Sequence, residues 1–291
     1  MSGPQVVTPA VLRDWPLAEP GSSKDSSGEL LVLGGSASTP GALRLAGEAA
    51  LRAGAGKLAM ATVASTAASL GVAVPEAQVV GLPEDGDGSL APAAADLAVD
   101  RAASTGAVLA GPGLMDPEHA SSLLASVLPR LEVAVVLDAL GTCYLTDHPE
   151  GLHHLDGRAV VTANPVEVAR MSGREELADD DELLEAAVGL AARCRAVVLA
   201  GAATKYVAAP DGRTWAIAGG GPGLGVSGSG DVQAGIVAGL LVRGEEPVKA
   251  AVWGAHVHAR AGEQLAGRVG QVGYLARELP EAVSAVLLAL R

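Results

Sequence analysis

Residues 219–231, Gly-Gly-Gly-Pro-Gly-Leu-Gly-Val-Ser-Gly-Ser-Gly-Asp, concentrate the chemistry that this chain can do: seven of the thirteen are glycine and an aspartate closes the run. Glycine lets a ligand's phosphates come close to the backbone. The run opens onto an apolar, helix-like stretch from Val232 to Arg243. A helix start supplies unpaired N–H groups and the positive end of a dipole, so the two features together make an anion site. Asp231 sets a carboxylate beside it. Its functional reading is a general base that deprotonates a substrate hydroxyl for attack on a terminal phosphoryl group, with the Gly228–Gly230 amides meeting the charge that develops. Its structural reading is an N-cap for a helix over 231–243. The two are compatible, and the crowd of glycines favours function. The spelling Gly223-x-Gly225-x-x-Gly228 matches a dinucleotide fingerprint. It comes late in the chain, however, and follows a predicted hairpin rather than opening a first βαβ unit.

Other candidates lie at predicted strand ends. Asp138 could place a magnesium-bound water or a substrate hydroxyl, or equally cap the next helix. Asn164 and Glu167 open a helix, and capping at its positive end is the favoured reading for Glu167. Ala200-Gly201-Ala202-Ala203-Thr204 offers main-chain amides and one hydroxyl. Lys205 follows, and strand alternation points it to the opposite face. His256 and His258, two apart on a helix, face different directions and read as packing or surface residues. No metal-ligand spacing and no Ser-His-Asp or Cys-His arrangement is visible.

The elements that must position these groups alternate in type. Strands are expected at 29–33, 57–62, 107–110, 133–137, 158–162 and 196–199. Helices are expected at about 40–53, 118–128, 165–171 and 181–194. An antiparallel pair, 204–208 with 214–218, turns at Pro210-Asp211-Gly212. The remainder after Asp231 reads as helix over 231–243, 246–267 and 275–290, and the acidic, Gly- and Ala-rich stretch 84–96 as a surface loop. Near-continuous apolar strands between helices predict a buried, mostly parallel sheet in a three-layer α/β/α fold. Ligands bind such sheets at the carboxyl ends of the strands. Gly34-Gly35-Ser36, Gly111-Pro112-Gly113, Asp138, Asn164-Pro165 and Gly201 all sit at such ends. No Pro/Ser-rich linker divides the chain, so one domain is expected over 29–291 after an irregular lead at 1–28.

Composition bounds the rest. Of 291 residues, 49% are hydrophobic, 2% are aromatic and none is phenylalanine, which calls for a core of Val, Leu, Ala and Ile. A net charge of −13 without a basic stripe argues against nucleic acid as a partner. It also means that an anionic ligand must be held by local N–H groups rather than by the overall field. The two cysteines, Cys143 and Cys194, read as reduced thiols of a cytoplasmic protein. No apolar run reaches the length of a membrane span, and no leader pattern opens the chain.

Taken together, the segments Gly34–Ser36 with Gly41-Ala42 and Gly47–Gly56, Gly111–Leu114, Val136–Ala139, Thr162–Glu167 and Gly228–Gly235 resemble the ribokinase-like superfamily. Within it they are similar to the ADP-dependent NAD(P)H-hydrate dehydratases, over about residues 25–290. The resemblance implies a ribokinase-like fold and a lyase that repairs hydrated NADH or NADPH at the expense of ADP (or ATP), with Mg2+. It places substrate contacts on Ala42, Gly113, Asn164 and Asp231, with Asp231 also catalytic. Nucleotide contacts fall on Ala200, Gly201, Ala202, Ala203 and Thr204 and on Gly228, Ser229 and Gly230. It also implies a homo-oligomer, a tetramer or dimer. Four positions depart from the family pattern. Asn164 stands where it has histidine, Ala200 where it has lysine, Leu140 where it has a second aspartate, and Gly221 where it has asparagine. Two alternatives stay open: a small-molecule kinase of the hydroxymethylpyrimidine or thiazole type using ATP, and a catalytically weakened nucleotide-binding homologue.

Overall fold

Short apolar strands that bury side chains on both faces need helices above and below them. The computed structural model, which describes residues 3–19 and 21–290, has that arrangement. Met1, Ser2 and Pro20 of the expected lead, and Arg291 at the end of the expected domain, lie outside the described residues. Among the described residues the strands are β1 (Gln5–Val6), β2 (Glu29–Leu33), β3 (Lys57–Val63), β4 (Ala77–Leu82), β5 (Ala107–Ala110), β6 (Ala134–Leu137), β7 (Ala159–Ala163), β8 (Val197–Gly201), β9 (Thr204–Ala208) and β10 (Thr214–Ala218). The helices are α1 (Pro9–Arg13), α2 (Gly41–Ala53), α3 (Ala64–Ala73), α4 (Ala94–Ala102), α5 (Pro117–Val127), α6 (Cys143–Asp147), α7 (Pro165–Ser172), α8 (Asp180–Cys194), α9 (Ser229–Val242), α10 (Pro247–Val269) and α11 (Leu279–Ala289).

The strands form one sheet in the order β1-β10-β9-β8-β7-β6-β5-β2-β3-β4. β9 pairs antiparallel with both of its neighbours, and every other pairing is parallel. Alternation along each strand divides the core in two. Leu30 and Val32 of β2 face a cluster shared with α2, α9, α10 and α11. Leu31 and Leu33 face one shared with α4, α5, α7 and α8.

Two stretches differ from expectation. The lead is not irregular: β1 extends the sheet beside β10 and α1 follows it. Burial of Val7 and Leu12 holds it there, with Trp15 stacked on Trp215 at 6.1 Å between ring centroids. The stretch 84–96 is not wholly loop, since Glu84 bridges to Leu90 and α4 begins at Ala94. That helix, with α3 and β4 before it, escapes notice in an Ala-rich sequence. α3 buries only Leu70 and so carries little periodic signal.

α9 is the centre of the molecule. Every residue of it is buried except Gly230 and Asp231 in its first turn. It lies between the sheet and α2, and its glycines allow that approach. A β-carbon on Gly235 would overlap the Ala46 carbonyl oxygen, and one on Gly239 would overlap that of Ala50. The close contact fixes where the N-terminus of α9 stands. We expect Gly235→Ala to lower stability by about 1–3 kcal/mol in urea unfolding. The obstacle is backbone that cannot rotate away, so it outweighs the roughly 1 kcal/mol that alanine gains in helix propensity.

Candidate active site

Because β2, β5, β6, β7 and β8 run parallel, the loops after them share one edge of the sheet. The start of α9 reaches the same edge, and a cavity of about 880 Å³ opens there. Of the residues expected at the site, Asn164, Gly201, Ala202, Ala203, Gly228, Ser229, Gly230 and Asp231 line it together. Ala42 and Gly113 stand side by side, with a β-carbon on Gly113 reaching within 3.1 Å of that of Ala42, but outside the cavity lining. Leu45 of α2 connects that wall to the cavity, since its side chain abuts Gly228. Ala200 is buried on the opposite face of the sheet, and Thr204 lies off the cavity wall.

The helix start is built for an anion. Gly228 precedes α9 in the left-handed region, at φ 91°, and no side chain caps the helix. The Ser229 N–H is taken by the Val226 carbonyl at 3.2 Å, and that of Val232 by Gly228 at 3.2 Å. The N–H groups of Gly228, Gly230 and Asp231 meet no acceptor among the described residues. α9 starts at Ser229 rather than 231, so Asp231 is its third residue and does not cap it. Its carboxyl faces the cavity instead, and burial raises it to about 7, helped by the charge of Asp138.

Two further carboxyls line the same cavity. Asp138 accepts a hydrogen bond from the Thr162 hydroxyl at 2.6 Å. Burial raises it to about 6 against the pull of that hydroxyl and of the Ala139 N–H. Asn164 and Glu167 form a reciprocal capping box for α7. Asn164 Oδ1 accepts from the Glu167 N–H at 3.0 Å, and Glu167 Oε2 accepts from the Asn164 N–H at 2.9 Å. Burial raises Glu167 to about 7. Its capping role matches the expectation, while Asn164 both caps the helix and lines the cavity.

Two positions overturn the sequence reading. Lys205 does not point away: the β8–β9 register pairs it with Gly201, and its side chain lines the cavity. Directly paired residues in an antiparallel ladder share a face, so the reversal at Gly201 returns Lys205 to the side of α9. His258 is neither surface nor mere packing. It lines the cavity with its Nε2 at 3.0 Å from the Ser229 hydroxyl, and burial drives its ring down to about 3. Gln233, one turn along α9, also lines the cavity and was not singled out. A polar residue inside so apolar a helix is the available signal for Gln233.

The family model for NAD(P)H-hydrate dehydratase matches residues 30–284. The chain is 43% identical over 289 residues to the ADP-dependent (S)-NAD(P)H-hydrate dehydratase of Xanthomonas campestris, covering 99% of this chain and 98% of that one. It is 35% identical to the bifunctional NAD(P)H-hydrate repair enzyme Nnr of Moorella thermoacetica over 94% of this chain, yet spans only 51% of that protein. A crystal structure of the ADP/ATP-dependent NAD(P)H-hydrate dehydratase from Bacillus subtilis, co-crystallised with ATP and Mg2+, is similar over 100% of both chains, with a TM-score of 0.79 and 26% identity.

The raised Asp231 carboxyl makes a prediction about stability. An unfolded aspartate ionises near 3.9, and the folded one near about 7. Above the folded value the native state holds a charge it disfavours, and below the unfolded value both states are protonated. Asp231→Asn should therefore raise the melting temperature at pH 8, with the gain shrinking as pH falls and vanishing near pH 4. Scanning calorimetry across that range decides it, and a gain that grows towards acid refutes it.

Proposed function

The chain belongs to the NAD(P)H-hydrate dehydratase family, and from that membership we propose how its cavity carries out the reaction. The enzyme is a hydro-lyase of ribokinase-like fold that dehydrates hydrated NADH or NADPH with ADP as co-substrate. Residues 29–291 act as one catalytic domain. Hydrated NADH and ADP become NADH, AMP and phosphate.

Asp231 takes the proton from the ring hydroxyl. That oxygen bonds to the β-phosphorus of ADP, and the bond from the β-phosphorus to the bridging oxygen breaks, releasing AMP. The carbon–oxygen bond then breaks, phosphate leaves with the electron pair, and the neighbouring ring carbon loses a proton to restore the double bond. A carboxyl held near neutrality suits the first step, because the best general base ionises close to the working pH. The free N–H groups of Gly228, Gly230 and Asp231 face the phosphoryl oxygens on which charge accumulates. Gly201 to Ala203, which line the same cavity, present main-chain groups to the nucleotide, with Ala200 and Thr204 flanking them. Ala42, Gly113 and Asn164 receive the hydrated nucleotide.

Among the described residues no three His, Cys, Asp or Glu side chains gather into a metal cage. Magnesium fits without one, since it keeps water and phosphate oxygens and takes only one or two carboxylates. Asp138, desolvated and fronting the cavity, is the carboxylate that would hold its bound waters. The ion supplies charge neutralisation of the transferred phosphoryl group.

Cytoplasmic residence and a homo-oligomeric state, a tetramer or dimer, belong to the same reading. Cys143 and Cys194 are free buried thiols, as suits a reducing compartment. Val269, Val272, Leu275 and Leu288, on and around α10 and α11, are exposed apolar groups that an interface would cover. Among the described residues no helix is long and apolar enough to cross a membrane.

The single observation that carries this reading is an open cavity in which an uncapped helix start and a desolvated aspartate meet. Incubation with hydrated NADH, ADP and magnesium should restore the absorbance of the reduced nicotinamide and release AMP one for one. Asp231→Asn should lower kcat by about 10²–10⁴-fold and leave ADP affinity within a few-fold. An unchanged rate in that variant overturns the role of Asp231.

A further inference from the structure

Among the described residues that line the cavity, Lys205 is the one lysine or arginine, against the three carboxyls of Asp138, Glu167 and Asp231. It pairs with none of them. Its Nζ donates to the Gly201 carbonyl at 3.0 Å, its one partner among the described residues. An ammonium has three protons to donate, so Lys205 holds unused donors in a desolvated place, and burial lowers its pKa. A buried, unpaired charge is costly unless a ligand completes it. Two other lysines do find carboxylates: Lys57 pairs with Asp25 and the partly buried Lys249 with Glu245.

The ammonium also faces the correct volume. Lys205 lies on the α9 side of the sheet, opposite Gly201 in the ladder. Its charge is near enough to His258 to lower that ring further, and His258 sits 3.0 Å from the hydroxyl of Ser229, the first residue of α9. A second donor points the same way. Gln233 is buried, lines the cavity, and its Nε2 has no partner among the described residues. Free amides, an amide side chain and one ammonium thus line a single space with donors left over among the described residues.

We infer that Lys205 is the phosphate-binding cation of this site, leaving the Gly201 carbonyl to engage the diphosphate of the nucleotide that the α9 amides receive. It favours a nucleoside diphosphate over a monophosphate, because the added phosphate brings the ammonium further charged acceptors. This inference rests on the proposed ADP-dependent reading of the cavity.

The test uses the full-length enzyme with ADP and AMP as probes. Lys205→Met keeps the apolar stem and removes the charge. It should weaken ADP binding by about 10- to 100-fold, as expected for loss of a charge-assisted contact, weaken AMP by less than threefold, and raise KM for ADP more than it lowers kcat. Lys205→Arg should recover most of the ADP affinity. A wild-type measurement needs no variant: mild amine acetylation with peptide mapping should show Lys205 protected by ADP and much less by AMP. Lys205→Met binding ADP within twofold of wild type, equal losses for ADP and AMP, or labelling indifferent to ADP would each overturn the inference. If the wild type repairs hydrated NADH while these results fail, only the role of Lys205 falls. If ADP protects Lys205 but no repair occurs, the functional reading falls and the cation site stands.

Discussion

The unsatisfied start of α9 is the constraint on which the rest depends. A helix must leave its first N–H groups without intrahelical partners, and most helices cover them with a side chain or water. Here no side chain does so, and the exposed turn of an otherwise buried helix ends in a cavity. Placing it there requires α9 to pass between the sheet and α2 with almost no clearance. Gly235 and Gly239 against Ala46 and Ala50 provide that passage. The same small residues that make the helix unremarkable in composition therefore aim its positive end.

The site is electrostatically divided. Three desolvated carboxyls stand in it with raised pKa values, and a single ammonium stands with a lowered one. None of these shifts favours folding, since each reports a charge held where water would suit it better. The arrangement becomes intelligible when a polyanion and its counter-cation fill the space. On the proposed reading the nucleotide would supply acceptors for the amides and the ammonium, and magnesium would offset the carboxyls. Stability is given up at the place where binding and chemistry recover it.

The core explains how a chain without phenylalanine builds this. Strands of Val, Leu and Ala divide their side chains between two clusters, one under α9 and its neighbours and one under α5, α7 and α8. Close approach of small residues replaces aromatic bulk. The aromatic contact at the edge, Trp15 on Trp215, secures the N-terminal strap rather than the centre. Sequence patterning does not reveal that strap, because two strand residues and a five-residue helix carry no periodicity. Its order comes from what it packs against.

The alternation of apolar strands and helices, the loops at their carboxyl ends and the glycine run before Asp231 were legible in the sequence, because each is a local property of residue type and spacing. The segment from Ala64 to Ala102 was not, since alanine and glycine serve helix, strand and loop alike. The sequence also identified Asp231, the Gly228–Gly230 amides and the capping pair of Asn164 and Glu167 as candidates. Only the fold decided that Asp231 faces a cavity instead of capping a helix, and that His258 and Gln233 join it. It also decided that Lys205, set aside on strand alternation, returns to the site through the reversal at Gly201. The physical reason is that periodicity states which residues share a face of one element, whereas the register between elements decides what that face meets.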